Sequence, residues 1–356
     1  MKRKYYLDNL RWLAILLLFP FHAAQIWNEG ENGGFYIWSQ KNTVLFLFAT
    51  AVYPWYMTLL FVIAGISCKY SLEKRSIRQF LTERTKKILV PFLFGLFTLV
   101  PVMTYIAEIF FNGYTGSYAR QWVMFFTKET DLIGYRGGFT PAHLWFLLYL
   151  LIISFWALFL ILQQKKHFPN FKVDGLSYFA IVFMALPEWA CLSILNISGK
   201  SIGQFMALFL YGYYIFTEEN NLYKIKRFRF ISLALCILSG SLYIYLYCIK
   251  RFENLWWIDL LYIFYGWMGI LTLLGIGQAK LDFHNRISDY LSRASFPVYI
   301  LHMPILVVTG FYVLKLPVGV AGQFLLIVGI SVIITFLTYE IIKKIPFLRA
   351  LFGMKN

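Results

Sequence analysis

Charge is scarce in this chain of 356 residues. Asp, Glu, Lys and Arg make up 14% of it, where soluble domains carry about 25%. Acidic side chains are scarcer still, 17 against 33 Lys and Arg. Cysteine is nearly absent: Cys68, Cys191, Cys236 and Cys248 all fall in or beside apolar runs. Their spacing matches neither a metal site nor a disulfide framework, so each is expected to pack in the core. No Gly-rich nucleotide loop, serine-elbow motif or His-Glu-x-x-His helix occurs. Nor do internal repeats or paired broken spans of the kind that build two-halved transporters. Ten-residue segments of alternating polarity are also missing, which argues against a membrane β-barrel.

Apolar and aromatic residues fill the space, at 60% and 20% of the chain, with a mean hydropathy of +0.63. Long uncharged runs recur throughout. In lipid every backbone polar group must be satisfied within the chain, so an all-α integral membrane protein is expected. Ten transmembrane spans are read at 10–27, 44–67, 88–111, 144–162, 176–195, 202–216, 230–249, 255–276, 295–314 and 318–342. Because the last span ends close to Asn356, residues 1–356 read as one transmembrane domain without a soluble domain. Lys2, Arg3 and Lys4 before an apolar run imitate a signal peptide. His22 spoils the small-x-small pattern a cleavage site ending at Ala24 would need, so an uncleaved first helix is expected.

Orientation follows the basic residues in the connections. With the N-terminus cytoplasmic, 24 of the 33 lie in cytoplasmic segments and 8 outside, which predicts N-in and C-in. The net charge of +16 therefore points to the lipid bilayer or an anionic small molecule, and not to nucleic acid.

The chain is organised around YYLDNLRWLAILLLFPFHAAQIWN, residues 5–28. As a helix it aligns Arg11, Ile15, Leu18 and His22 on one stripe. Asp8 and Arg11 charge its start, and His22 lies three turns beyond Arg11, roughly 16 Å at about 1.5 Å per residue. Pro20 predicts a kink just before the histidine. An ionisable group on a kinked membrane helix suggests function, but a histidine satisfied between packed helices fits this stretch equally.

The most basic connection, 69–87, is KYSLEKRSIRQFLTERTKK. It reads either as a topology anchor or as a phosphate site in which Arg84 and Lys87 stand one turn apart. The long outer loop, 112–142, holds an amphipathic stretch from Arg120 to Lys128 in which Trp122, Phe125 and Phe126 share a face, an interfacial anchor or a lid. Gly137 and Gly138 then break the chain. His143 and Trp145 are expected at the outer interface. Glu108, Asp259 and Glu340 lie near enough to span ends to be solvated. Glu188, inside the fifth span beside Pro187, must be protonated, paired or facing a wet cavity, since a lone mid-bilayer charge costs about 2.5–3.5 kcal/mol on insertion scales. In the ninth span Ser295, Tyr299 and His302 share a face loosened by Pro297 and Pro304, which a hydrogen-bonded helix contact would also explain.

Four segments in order, LDNLRWLAILLLFPFH, FLTERTKKILVPFLFG, HLWFLLYL and LSRASFPVYILHMPI, resemble landmarks of the acyltransferase type 3 membrane proteins. The phrasing is closest to the glucan-biosynthesis-protein-C branch. The resemblance implies ten helices and an O-acyltransferase in a bacterial-type cytoplasmic membrane. Its donor would be a cytoplasmic acyl-CoA (acetyl-CoA or succinyl-CoA), a substrate and not a bound cofactor, and its acceptor a hydroxyl of an envelope glycan or lipid-linked carbohydrate. By that likeness His22 is the catalytic histidine. Arg11 and His302 match further family positions, and Arg84, Lys87 and Arg11 would hold the donor phosphates. Asp8, Arg11, Glu188, Tyr299 and His302 are the candidate supporting residues, with the group that orients His22 open among Glu188, His302, Tyr299 and a water. Lys87 stands where the family has a second arginine, which keeps the charge but loses bidentate geometry. A transporter or flippase for a lipid-linked or acidic sugar, with His22 relaying protons, is the alternative reading.

Overall fold

The structure, a computed structural model, describes residues 3–28, 35–128 and 138–354. Residues 129–137 of the long loop, including Gly137, lie outside the described residues. The helices are α1 Tyr5–Ala24, α2 Thr43–Leu72, α3 Ile77–Arg84, α4 Val90–Thr98, α5 Val100–Asn112 and α6 Tyr118–Phe125. They continue as α7 Trp145–His167, α8 Tyr178–Phe183, α9 Ala185–Ala190, α10 Ile202–Tyr214 and α11 Glu219–Arg227. The last five are α12 Arg229–Ile244, α13 Trp256–Lys280, α14 Arg286–Val313, α15 Val320–Ile342 and α16 Pro346–Leu351.

Among the described residues, eight helices or helix runs are long and apolar enough to cross a membrane, so the chain is an all-α, multi-pass membrane protein. The other two expected spans, 176–195 and 202–216, are shorter. Tyr178–Ala190 is divided at Met184, and α10 has 13 residues. At 1.5 Å per residue α10 reaches about 20 Å, against a hydrocarbon core of about 30 Å. Pro187 explains the division, because it cannot donate to the Phe183 carbonyl and its ring crowds it. Between α9 and α10 a hairpin intervenes, Asn196–Ile197 paired antiparallel with Lys200–Ser201. Its two-residue turn places Ser198 at φ 50° and Gly199 at φ 74°, the left-handed pair that such tight hairpins need.

The chain divides into two compact units. The first holds residues up to Ala14, Thr50–Leu81 and Ile152–Asp289; the second holds Ile15–Ala49, Thr82–Leu151 and the residues from Tyr290 onward. Helix α1 thus supplies Asp8 and Arg11 to the first unit and His22 to the second.

In the first unit, α2 and α10 approach backbone to backbone. A Cβ on Gly65 would lie 1.9 Å from the Phe209 carbonyl oxygen, and one on Gly212 would lie 2.2 Å from that of Val62. Only glycine fits this crossing, the small-residue packing that lipid favours because apolar burial gives helices little reason to associate there. Phe61 and Phe205 stack beside it with centroids 4.5 Å apart. Gly212→Ala should cost about 1–3 kcal/mol by forcing the helices apart, read as a thermal midpoint several degrees lower in detergent. Gly329→Ala, where a Cβ meets open space, should leave the midpoint unchanged or slightly raised. Equal midpoints for the two variants would contradict the close crossing.

In the second unit, the third expected span is α4 and α5, preceded by one π-helical turn at Thr85–Leu89 that continues from the end of α3. Pro91 accounts for the wide turn: it offers no N–H to the Lys87 carbonyl and crowds it. Helix α6 begins at Ser117, whose hydroxyl accepts from the Arg120 N–H. The expected aromatic face forms, with Phe125 buried, Trp122 donating to the Phe97 carbonyl at 2.8 Å and Phe126 stacking on Phe97. Glu108 is not solvated as expected. It is 5% exposed, and its carboxylate accepts from Lys128 and from Asn112, both at 2.7 Å. The α5–α6 turn brings Lys128 back over the end of α5, a pairing that twenty residues of separation conceal.

Candidate functional site

Helix α1 runs through Pro20 and tightens into a 3-10 turn at Gln25–Trp27. Along its second half Leu18, Phe19, Phe21, Ala23 and Ala24 are buried, whereas His22 is only half-buried. The residue therefore sits in packed surroundings without being fully buried. Phe21 meets it edge-on at 5.1 Å between centroids, and Phe35 stacks over it at 6.1 Å.

Two further histidines complete a cluster in the same unit. The His302 ring lies 5.3 Å from that of His22 and 5.4 Å from that of His143, perpendicular to the latter. Tyr299 is 5.9 Å from His302 and 6.0 Å from His143. Phe19 and Phe146 close the apolar wall, against His302 and Tyr299 respectively.

The prolines of α14 explain how the cluster is held. Pro304 cannot donate to the Ile300 carbonyl, which would be stranded inside an apolar helix. His143 Nε2 lies 3.0 Å from that oxygen. A carbonyl oxygen only accepts, so Nε2 carries the hydrogen. His143 itself enters from a 3-10 turn, Ala142–Leu144, set up by Ala142 at φ 51° with its N–H bonded to Thr140 Oγ1. The Tyr299 hydroxyl donates to the His143 carbonyl. His302 Nδ1 lies 2.6 Å from the Tyr299 carbonyl, which by the same reasoning fixes its hydrogen on Nδ1. In the neutral rings, His302 Nε2 and His143 Nδ1 are then bare lone pairs, and both are buried without a hydrogen-bond partner. An unpaired buried acceptor costs free energy, and two of them stand here near a half-buried imidazole.

His143 is the residue whose partners sequence reading did not foresee. It is 6% exposed and packs beside His302 and Tyr299. The signal was present in Pro304, which frees a carbonyl that some donor must satisfy, but the sequence does not say which donor. Ser295, expected on the same face as Tyr299, hydrogen-bonds within its own helix to the Ser292 carbonyl.

The other expected residues are placed as follows. Lys87 pairs with Glu83 at 2.9 Å in the second unit, both half-exposed, and Arg84 closes α3 next to the π-helical turn. In the first unit Asp8 bridges Arg3 at 2.8 Å and Arg11 at 3.0 Å, and Arg11 also donates to Ser67 Oγ at 3.2 Å. Glu188 belongs to the first unit as well. One of its oxygens accepts from Gln204 at 2.9 Å and the other has no partner. Among the described residues no group of three or more His, Cys, Asp or Glu side chains is arranged to hold a metal ion.

Chemically, the cluster offers a half-buried imidazole, a second imidazole with a fixed tautomer beside it, and aromatic walls. An imidazole is able to take a proton from a weakly acidic group and return it.

Comparison with known proteins agrees in kind. Residues 4–340 match the acyltransferase type 3 family, described as "Acyltransferase domain". Glucans biosynthesis protein C from Escherichia coli strain SMS-3-5 is 21% identical over 389 residues, covering 99% of this chain and 95% of that protein. The protein of the same name from strain K12 is 21% identical over 386 residues with the same coverage. No solved structure matches. With its helical membrane architecture and a family match spanning nearly its whole length, the chain belongs to the acyltransferase type 3 family and is a membrane acyltransferase.

Proposed function

We propose that this protein moves an acyl group, acetyl or succinyl, from acyl-CoA to a hydroxyl of a cell-envelope glycan, with His22 as general base. The half-buried His22 beside the tautomer-fixed His302 is the observation that carries the reading. The name shared by its relatives supports a glucan-type acceptor.

His22, neutral, accepts the proton of the acceptor hydroxyl as its oxygen attacks the thioester carbonyl carbon. The tetrahedral intermediate collapses, the carbon–sulfur bond breaks, and the departing thiolate takes the proton back from the imidazolium. Atoms and charge balance, with ester and free CoA as products. The His302 lone pair is suited to accept a hydrogen bond from the His22 ring while that ring carries its extra proton, which makes His302 a positioning residue. Tyr299 and His143 hold His302 and the bend of α14 in place.

The bias of basic residues supports an N-in, C-in arrangement in a bacterial-type cytoplasmic membrane, with Tyr178–Ala190 and α10 completing ten spans as the two shortest. Residues 1–356 then form a single transmembrane catalytic domain. The donor's phosphates meet Arg84 and Lys87. The Lys87–Glu83 pair is no obstacle, since exposed ion pairs contribute only about 0–1 kcal/mol. Arg84→Ala or Lys87→Ala should weaken acyl-CoA binding by about 1.5–3 kcal/mol each, seen by titration calorimetry. Unchanged affinity in both variants would reduce this stretch to a topology signal.

The direct test supplies acetyl-CoA and succinyl-CoA, labelled in the acyl group, to protein in nanodiscs with a glucan acceptor. Label in the glucan with stoichiometric CoA release is expected. Hydrolysis without glucan labelling would overturn the acceptor, and no consumption of either donor would overturn the donor. A reporter fused after Asn356 should be cytoplasmic, and an external reading there would reverse the orientation.

A further inference from the structure

A second concave site lies in the first unit, lined by Asp8 and Arg11 together with residues given no role above. A cavity of about 380 Å³ opens between the start of α1 and the end of α2, lined by Arg3, Lys4, Leu7, Asp8, Arg11, Ser67, Tyr70, Ser71, Lys74 and Arg75. Five of these are cationic, and among the described residues lining it Asp8 is the only carboxylate.

Several of the charges are held by neighbours. Asp8 pairs with Arg3 and Arg11, and Arg11 is tied further to Ser67. Lys4 pairs with Glu219 at 2.8 Å, and Arg75 donates to Ser71 Oγ at 2.7 Å. Lys74 stands beside Arg75 just past the last residue of α2. A topology signal needs basic residues near a span end and nothing more. It does not need them to converge on one concavity, where like charges repel and the low-dielectric walls strengthen their field. Such convergence is stabilised by an anion, and serines and a tyrosine between guanidinium and ammonium groups are donors suited to phosphate oxygens.

We propose that this cavity is a phosphate-binding site in which Lys74 and Arg75, with Arg3 and Lys4, hold a phosphate or diphosphate ester. The nucleotide end of an acyl-CoA and the headgroup of an anionic lipid share that chemistry. The first source rests on the acyl-CoA reading above, and the second does not. Lys74 and Arg75 are both exposed, so their removal leaves the helix packing intact.

The test uses the full chain in phosphatidylcholine nanodiscs, with and without added phosphatidylglycerol, comparing wild type with the Lys74→Ala/Arg75→Ala double variant. CoA affinity is read by calorimetry with ADP as competitor, and bound lipid by native mass spectrometry. A tenfold or greater loss of CoA affinity in the double variant, with ADP competing in the wild type, assigns the site to a nucleotide phosphate. Unchanged CoA affinity with loss of retained phosphatidylglycerol assigns it to a lipid phosphate. Arg78→Ala, on α3 outside the cavity lining, should change neither. If the double variant keeps both CoA and phosphatidylglycerol as the wild type does, the proposal is overturned. Phosphate binding together with absence of acyl transfer would leave this site standing while the acyltransferase chemistry proposed above failed.

Discussion

His22→Ala should slow acyl transfer by roughly 10²–10⁴-fold, the range that a positioned general base supplies. Nearly all of the loss should fall on kcat. The imidazole is only half-buried and meets Phe21 and Phe35 through ring contacts, so truncating it removes limited packing and the protein should stay folded. Donor binding should also persist, because Arg84 and Lys87, proposed to hold the phosphates, lie at and just after the end of α3 and not on α1. A histidine that merely packs makes the opposite prediction: a lowered thermal midpoint with kcat preserved in whatever fraction remains folded. Measuring kcat, acyl-CoA affinity and thermal midpoint on one preparation separates the two.

The second large effect concerns His302. Its ring is fully buried, with Nδ1 bonded to the Tyr299 carbonyl and Nε2 unpartnered. His302→Ala removes the lone pair that would hold His22 during proton transfer, and kcat should fall by roughly 10–100-fold, the usual effect of losing a residue that orients a reacting one. KM should change little. His302→Gln restores an acceptor oxygen near the position of Nε2 and should recover much of that loss. A purely structural role predicts instead that activity follows the folded fraction in both variants. Wild-type kcat in folded His302→Ala protein would remove His302 from the chemistry.

Much of this molecule could be read from its sequence because lipid leaves few choices. The apolar runs had to be helices, and eight of the expected ten spans are found as long helices or helix runs among the described residues. The stripe through Arg11, Leu18 and His22 and the face of Tyr299 and His302 both follow from helical periodicity, which is local. Contacts made across the chain were not legible. Nothing near His143 says that its Nε2 meets a carbonyl freed by a proline more than 150 residues away. Glu108 looked solvated because its partner Lys128 returns from beyond the end of α6. Gly65 and Gly212 are ordinary small residues until their helices cross. Pro187 was visible inside the fifth expected span, but the two short helices found in place of that span were not read from it.

The central claim is that chemistry occurs at the histidine cluster of the second unit, with His22 as base. A single-turnover experiment tests it most directly: acyl-labelled acetyl-CoA or succinyl-CoA, bound to wild-type or His22→Ala protein in nanodiscs, is mixed with glucan while CoA release and glucan labelling are followed together. Bound donor in both proteins, with rapid coupled release and labelling in the wild type and neither in the variant, is the expected result. Coupled transfer at the wild-type rate in His22→Ala would contradict it.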